Sequence, residues 1–213
     1  MATAVEAKVE VRGGAQSELQ RGATAIPQRM TLAEFEEYPW DDDNYQVELV
    51  RGEVRVSPLP AGVHSWVVRH IFRALDAHVS ARGVGEVFTD GTGYTLPGLD
   101  DTRRGPDVSF VAAGRLPDPI PLRGAFHLAP DLAVEVISPS DTYGRLEEKL
   151  DDYFTSGVQA VWLVHPRGRR VEIALPNGSR RLLGEGDTLD GAPVLPEFTI
   201  AVADLFAGVE REG

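Results

Sequence analysis

The sequence contains no cysteine. That excludes a disulfide framework, a thiolate zinc site and a cysteine nucleophile, and it fits a reducing cytoplasm. Lysine is nearly as scarce: Lys8 and Lys149 stand against nineteen arginines. No apolar run approaches the ~20 residues that a membrane-spanning helix needs, so no membrane is expected as a partner. The first residues, MATAVEAKVEVRGG, lack a basic start followed by a sustained apolar stretch and do not read as a signal peptide.

What is present points to an ordinary globular chain. Of 213 residues, 42% are hydrophobic and 25% charged, which is enough apolar material for one domain with a sizeable core. The expected organisation is a flexible N-terminal arm over 1–27, a single domain over 28–208 and a short tail over 209–213. The net charge of -12 is unfavourable for a polyphosphate partner unless cations are gathered locally. They are uneven along the chain. Arg167, Arg169, Arg170, Arg180 and Arg181 face Glu172 alone, whereas residues 182–213 carry seven acids against Arg211. The cluster reads equally as a basic patch or as a solvated hairpin face.

Local patterns give the element order. Thr31 followed by Glu34 has capping-box spacing and predicts a short helix that ends before Pro39. Asp41, Asp42 and Asp43 read as an exposed acidic loop. VELV and EVRV (47–56) flank Arg51–Gly52 as a hairpin. Residues 64–82 have helical periodicity, with Val67, Ile71 and Leu75 on one face and Gly83 as the stop. Strands are expected at 85–89, 93–96, 106–112 and 131–138, then a helix over 145–156, then strands at 160–165 and 170–175. VLPEFTIAVADLF closes the chain with a brief strand and a helical turn. This is an α/β order with a mixed sheet flanked by helices. The almost unbroken apolar run 132–137 predicts a central strand covered on both faces.

Glu135 interrupts that run. A lone carboxylate in so apolar a strand costs several kcal/mol, so it must be protonated, paired with a cation or bound to a metal. Asp107 opens the neighbouring apolar run DVSFV. Two carboxylates near the middle of one sheet repel unless a cation lies between them, and a hard divalent ion such as Mg²⁺ is satisfied by two carboxylates plus waters. For Glu135 and Asp107 the alternatives are an ion pair and a strand-start cap. Lys149 is the one lysine within the expected domain. A compact ammonium suits a phosphate or an attacking water, although alone it reads as a solvent-facing helix residue. Glu48 is the charged residue of VELV, a candidate for a metal's outer shell or an edge-strand polar group. Tyr153 falls one helical turn after Lys149. His64 reads as a surface histidine, with a place beside the cleft as the alternative. Ser138 and Ser140 either touch phosphate or shape the turn at Pro139.

The segments ELVRGEV, SPLPAGVH, GPDVSFV, PDLAVEVISPSDTYGRLEEKLDDYFTSGVQAVWLVHP and APVLPEF together resemble the Uma-type restriction endonuclease family of the PD-(D/E)XK nuclease superfamily. The likeness runs from about Met30 to Phe206. It implies a restriction-endonuclease-like α/β fold and metal-dependent hydrolysis of phosphodiester bonds in DNA, with RNA as the alternative substrate. By that resemblance Asp107 and Glu135 bind Mg²⁺ or Mn²⁺ with the Val136 carbonyl, Lys149 assists catalysis, and Glu48 is the early acid of the site. The superfamily lysine normally stands two places after the acid, where this chain has Ile137; the Uma-type pattern moves it to the next helix, at Lys149. The hairpin's usual acidic turn residue is Arg51 here. Cleavage of both strands would imply a homodimer. Two other readings are a non-catalytic binding or regulatory module on the same fold and a metal-free carboxylate-pair glycosidase.

Overall fold

The computed structural model describes residues 27–40, 45–59, 62–89, 91–122, 124–139 and 141–210. The expected arm up to residue 26, the Asp41–Asp42–Asp43 loop and Ser140 lie outside them. In chain order the elements are α1 (Leu32–Glu37), β1 (Tyr45–Val50), β2 (Glu53–Pro58), α2 (Val63–Arg82), β3 (Gly85–Thr89), β4 (Tyr94–Thr95), β5 (Arg103–Arg104), β6 (Val108–Ala112), β7 (Leu132–Val136), α3 (Tyr143–Thr155), β8 (Ala160–His165), β9 (Arg170–Ala174), β10 (Arg180–Leu183), β11 (Thr188–Asp190), β12 (Thr199–Ala201) and α4 (Val202–Leu205). The described residues form two compact units, one within Met1–Leu59 together with Asp100–Arg104 and one within Pro60–Leu99 together with Gly105–Gly213.

In the first unit β1 and β2 pair antiparallel, from Tyr45 opposite Pro58 to Val50 opposite Glu53. Their turn has φ of 48° at Arg51 and 78° at Gly52, the double left-handed geometry that a two-residue hairpin favours. The other edge of β1 meets β5 through Leu49 and Arg103. Helix α1 starts with the reciprocal capping box of Thr31 and Glu34 and buries Phe35 against Met30, Leu49 and Val54.

The second unit is built on a six-stranded sheet of order β10-β9-β8-β7-β6-β3. Only β7 and β8 run parallel; the remaining neighbours are antiparallel. A parallel pair needs a long crossover, and α3 supplies it. The architecture is therefore α/β, a mixed sheet with helices on both faces, as the element order implies. Side-chain alternation divides the core. Val108, Leu132, Val134 and Trp162 pack in the layer of α2, with Val67, Ile71 and Leu75. Val111, Ala133, Val161 and Leu163 pack in the layer of α3, with Leu150 and Tyr153. All five residues of β7 are buried, and a fully buried aliphatic side chain contributes about 1.5–3 kcal/mol.

Three elements depart from the sequence expectations. The strand expected at 93–96 shrinks to Tyr94–Thr95. The one expected at 106–112 begins at Val108, because the Asp107 carboxylate, rather than a backbone carbonyl, accepts the Val136 N–H. β10 does not alternate in burial: Arg180, Arg181 and Leu182 are all exposed on this outer strand, so its sequence carries no two-residue period.

Candidate active site

The ladder between β6 and β7 pairs Val108 with Val134. One step further along the same antiparallel register, Asp107 comes opposite Glu135. Each of these residues is only 6% exposed, so each carboxylate must find compensation inside the protein. They find it differently.

Glu135 lies on the α3 side of the sheet, by alternation from Val134 and Val136, which pack in the α2 layer. The Lys149 ammonium donates to Glu135 Oε2 at 2.9 Å, and the Tyr153 hydroxyl donates to Oε1 at 2.6 Å. Lys149 and Tyr153 are one turn apart on α3, the spacing that puts two side chains on one helix face. Tyr153 is wholly buried, whereas the Lys149 side chain keeps 22% exposure. The lysine thus connects an interior carboxylate to the water-facing edge of the helix.

Asp107 is held through one oxygen. Its Oδ2 accepts the Val136 N–H at 2.6 Å and lies 3.1 Å from His64 Nε2. His64 is therefore not the surface histidine expected: it is 8% exposed, on the first turn of α2 and against Asp107. With both bonds on Oδ2, Oδ1 is the oxygen that Asp107 can offer a cation.

Asp107, Glu135, Val136, Lys149, His64 and Tyr153 are thus brought together, all within the second unit. Glu48 belongs to the first unit, where it pairs with Arg104 at 3.1 Å. Arg104 has 1% side-chain exposure; nothing in DDTRRGPD singles out this buried cation. Ser138 turns its N–H and its hydroxyl to Asp141 Oδ2, a turn-shaping role. The arginine cluster is largely neutralised: Arg169 pairs with Glu185, Arg180 with Glu147 and Glu172, and Arg181 with Asp190. At the end of β8, burial lowers the proton affinity of His165, and Arg170 lowers it further.

Among the described residues, no three His, Asp or Glu side chains are grouped to hold a metal. The donors that are present nevertheless suit a hard ion in kind. Two carboxylates at one ladder end and a main-chain carbonyl are oxygen ligands, and an ion the size of Mg²⁺ keeps several waters.

The second unit thus carries a buried acid pair at one ladder end of a mixed α/β sheet, with a lysine drawn onto one of its members. Residues 32–203 match the model of the Uma2 family, described as "Putative restriction endonuclease", and the chain belongs to that family. In fold it is similar to the crystal structure of a protein described as a "putative nuclease" from Anabaena variabilis ATCC 29413. That likeness has a TM-score of 0.73 at 22% identity and covers 83% of this chain and 97% of that one. No curated protein matches the chain. Among the described residues no helix is long and apolar enough to cross a membrane.

Proposed function

We propose that the protein is a metal-dependent endonuclease that hydrolyses phosphodiester bonds in DNA, with Asp107, Glu135, Val136 and Lys149 as its machinery in the PD-(D/E)XK manner. The observation that carries this reading is the double hold on Glu135: Lys149 on one oxygen and Tyr153 on the other, beside Asp107. Membership of the Uma2 family supports it.

Asp107, Glu135 and the Val136 carbonyl would hold Mg²⁺ or Mn²⁺, which supplies Lewis acidity toward phosphate and lowers the pKa of water. Tyr153 keeps the Glu135 carboxylate oriented. Val136 N–H and His64 fix the Asp107 rotamer. Lys149 places a positive charge next to Glu135, where it would orient the attacking water or offset negative charge growing on the phosphoryl oxygens. In the overall reaction water adds to phosphorus, the phosphorus–oxygen bond to the leaving strand breaks, and the departing oxygen takes a proton. Cutting both strands would call for a homodimer. The test is a calorimetric Mn²⁺ titration beside a duplex-cleavage assay. Binding and cleavage should both disappear in Asp107→Ala and Glu135→Ala, and cleavage should stop on chelation. Tight Mn²⁺ binding retained in both variants would move the ion elsewhere.

A non-catalytic nuclease-fold module is the second reading. The net charge of -12 favours it, as does Ile137 in the place where the superfamily lysine normally stands. Folded, metal-loaded protein that binds nucleic acid without cutting it would support that reading.

A further inference from the structure

Among the described residues, many arginines of this acidic chain have an acidic or aromatic neighbour, which gives weight to exposed ones without an acidic partner. Arg145 and Arg170 are exposed, and among the described residues neither has an ion pair or side-chain hydrogen bond to an acid. Arg169, Arg180 and Arg181, from the same sequence cluster as Arg170, are tied to Glu185, Glu147, Glu172 and Asp190.

Topology brings the two to the same end of the sheet as the candidate active site. Glu135 on β7 is beside Leu163 on β8, and Leu163 is opposite Glu172 on β9. These three positions share the α3 face, since Glu172 reaches α3 through Arg180, which also binds Glu147. Arg170 is opposite His165, two residues beyond this row on the same face. At ~3.3 Å per strand residue, that is about 7 Å further toward the end of the sheet where β7 finishes. Helix α3 begins after β7 and returns across the sheet, so its first turn lies at this end too. Arg145 precedes Lys149 by one turn, about 6 Å along the axis and on the same helix face. The Arg170 stem lies across the turn before β9: a Cβ on Gly168 would come within 3.0 Å of its Nε and 3.3 Å of its Cδ. Beyond the lysine that holds Glu135, toward the end of the sheet where β7 finishes, stand one exposed guanidinium on the helix and one on the sheet.

We propose that Arg145 and Arg170 are the backbone-phosphate contacts of this site, holding a nucleic-acid strand next to the phosphate that Lys149 and Glu135 address. The assignment rests on the nuclease reading for what happens at that phosphate, but binding is separable from cleavage. Phosphate contacts position a strand without reading its bases, so the grip is independent of sequence.

The test is fluorescence polarisation of the full chain with a labelled DNA duplex in Ca²⁺, across a range of NaCl concentrations. Each contact removed should flatten the slope of log K against log salt by about 0.9. Arg145→Ala and Arg170→Ala should each do so, equally for unrelated duplex sequences. Arg73→Ala, an exposed arginine of α2 in the opposite layer, should leave the slope unchanged. Wild-type slopes in both Arg145→Ala and Arg170→Ala overturn the proposal, and if the wild type also cleaves, the nuclease reading survives alone. Flattened slopes in a protein that never cleaves support the contacts while removing the chemistry. A wild type that binds no duplex at low salt overturns the contacts.

Discussion

The Tyr153 hydroxyl donates to Glu135 Oε1 across 2.6 Å, between a wholly buried ring on α3 and a carboxylate in the central strand. This bond and the Lys149 contact engage both oxygens of a group that would otherwise oppose burial. Removing only the hydroxyl leaves the packing intact and one buried acceptor short of a donor. Tyr153→Phe should therefore lower unfolding stability by about 1–3 kcal/mol. In urea the midpoint should fall with an unchanged slope.

His64 acts on Asp107 through Nε2. Glutamine can place an amide N–H near the same point, whereas leucine cannot. Loss of a side chain that orients a metal ligand typically weakens metal binding roughly 10- to 100-fold. A loss in that range is expected for Mn²⁺ in His64→Leu, with substantial recovery in His64→Gln. Equal affinities in the two variants would limit His64 to packing.

Glu48 and Arg104 make the same kind of argument in the first unit. Breaking a buried ion pair from one side commonly costs about 3–5 kcal/mol. Glu48 keeps 18% side-chain exposure beside an Arg104 at 1%, so Glu48→Gln should fall near the low end, about 3 kcal/mol. Denaturant unfolding measures that loss. Cleavage measured well below the unfolding midpoint then isolates any catalytic part of Glu48.

His165 supplies a pH dependence. Burial, then Arg170, depresses its folded-state pKa below the ordinary 6.5. Between the depressed value and 6.5 the unfolded chain binds more protons than the folded one, so stability rises with pH in that window. Its contribution is complete above about 6.5 and lost as the pH falls toward the folded-state value. His165→Gln should flatten this acid-side slope in unfolding curves taken from pH 5 to 7. An unchanged slope would assign it to other groups.

The legible parts of the sequence were those where one local pattern had one physical meaning. An apolar run bounded by proline became the fully buried β7, and a carboxylate inside it required partners whatever the fold. The spacing of Lys149 and Tyr153 fixed a shared helix face, but not that the face meets Glu135, which depends on the crossover from β7 to β8. The sequence alone presents His64 as a surface residue because one histidine at a helix start carries no sign of what faces it; Asp107, 43 residues away, lies against it in the fold. The arginine cluster was ambiguous for the same reason. Glu147 on α3 and Glu185 beyond β10 neutralise members of it, and neither partner can be inferred from neighbours in the chain. β10 was missed because an exposed outer strand has no buried face to impose alternation.

The most direct measurement is incubation of supercoiled plasmid with purified protein and Mg²⁺ or Mn²⁺, beside Glu135→Ala and Lys149→Ala. The expected result is nicking that requires the metal, stops with chelator and is lost in both variants. Intact plasmid at low salt with folded, metal-loaded wild type, or nicking that persists in both variants, would contradict it.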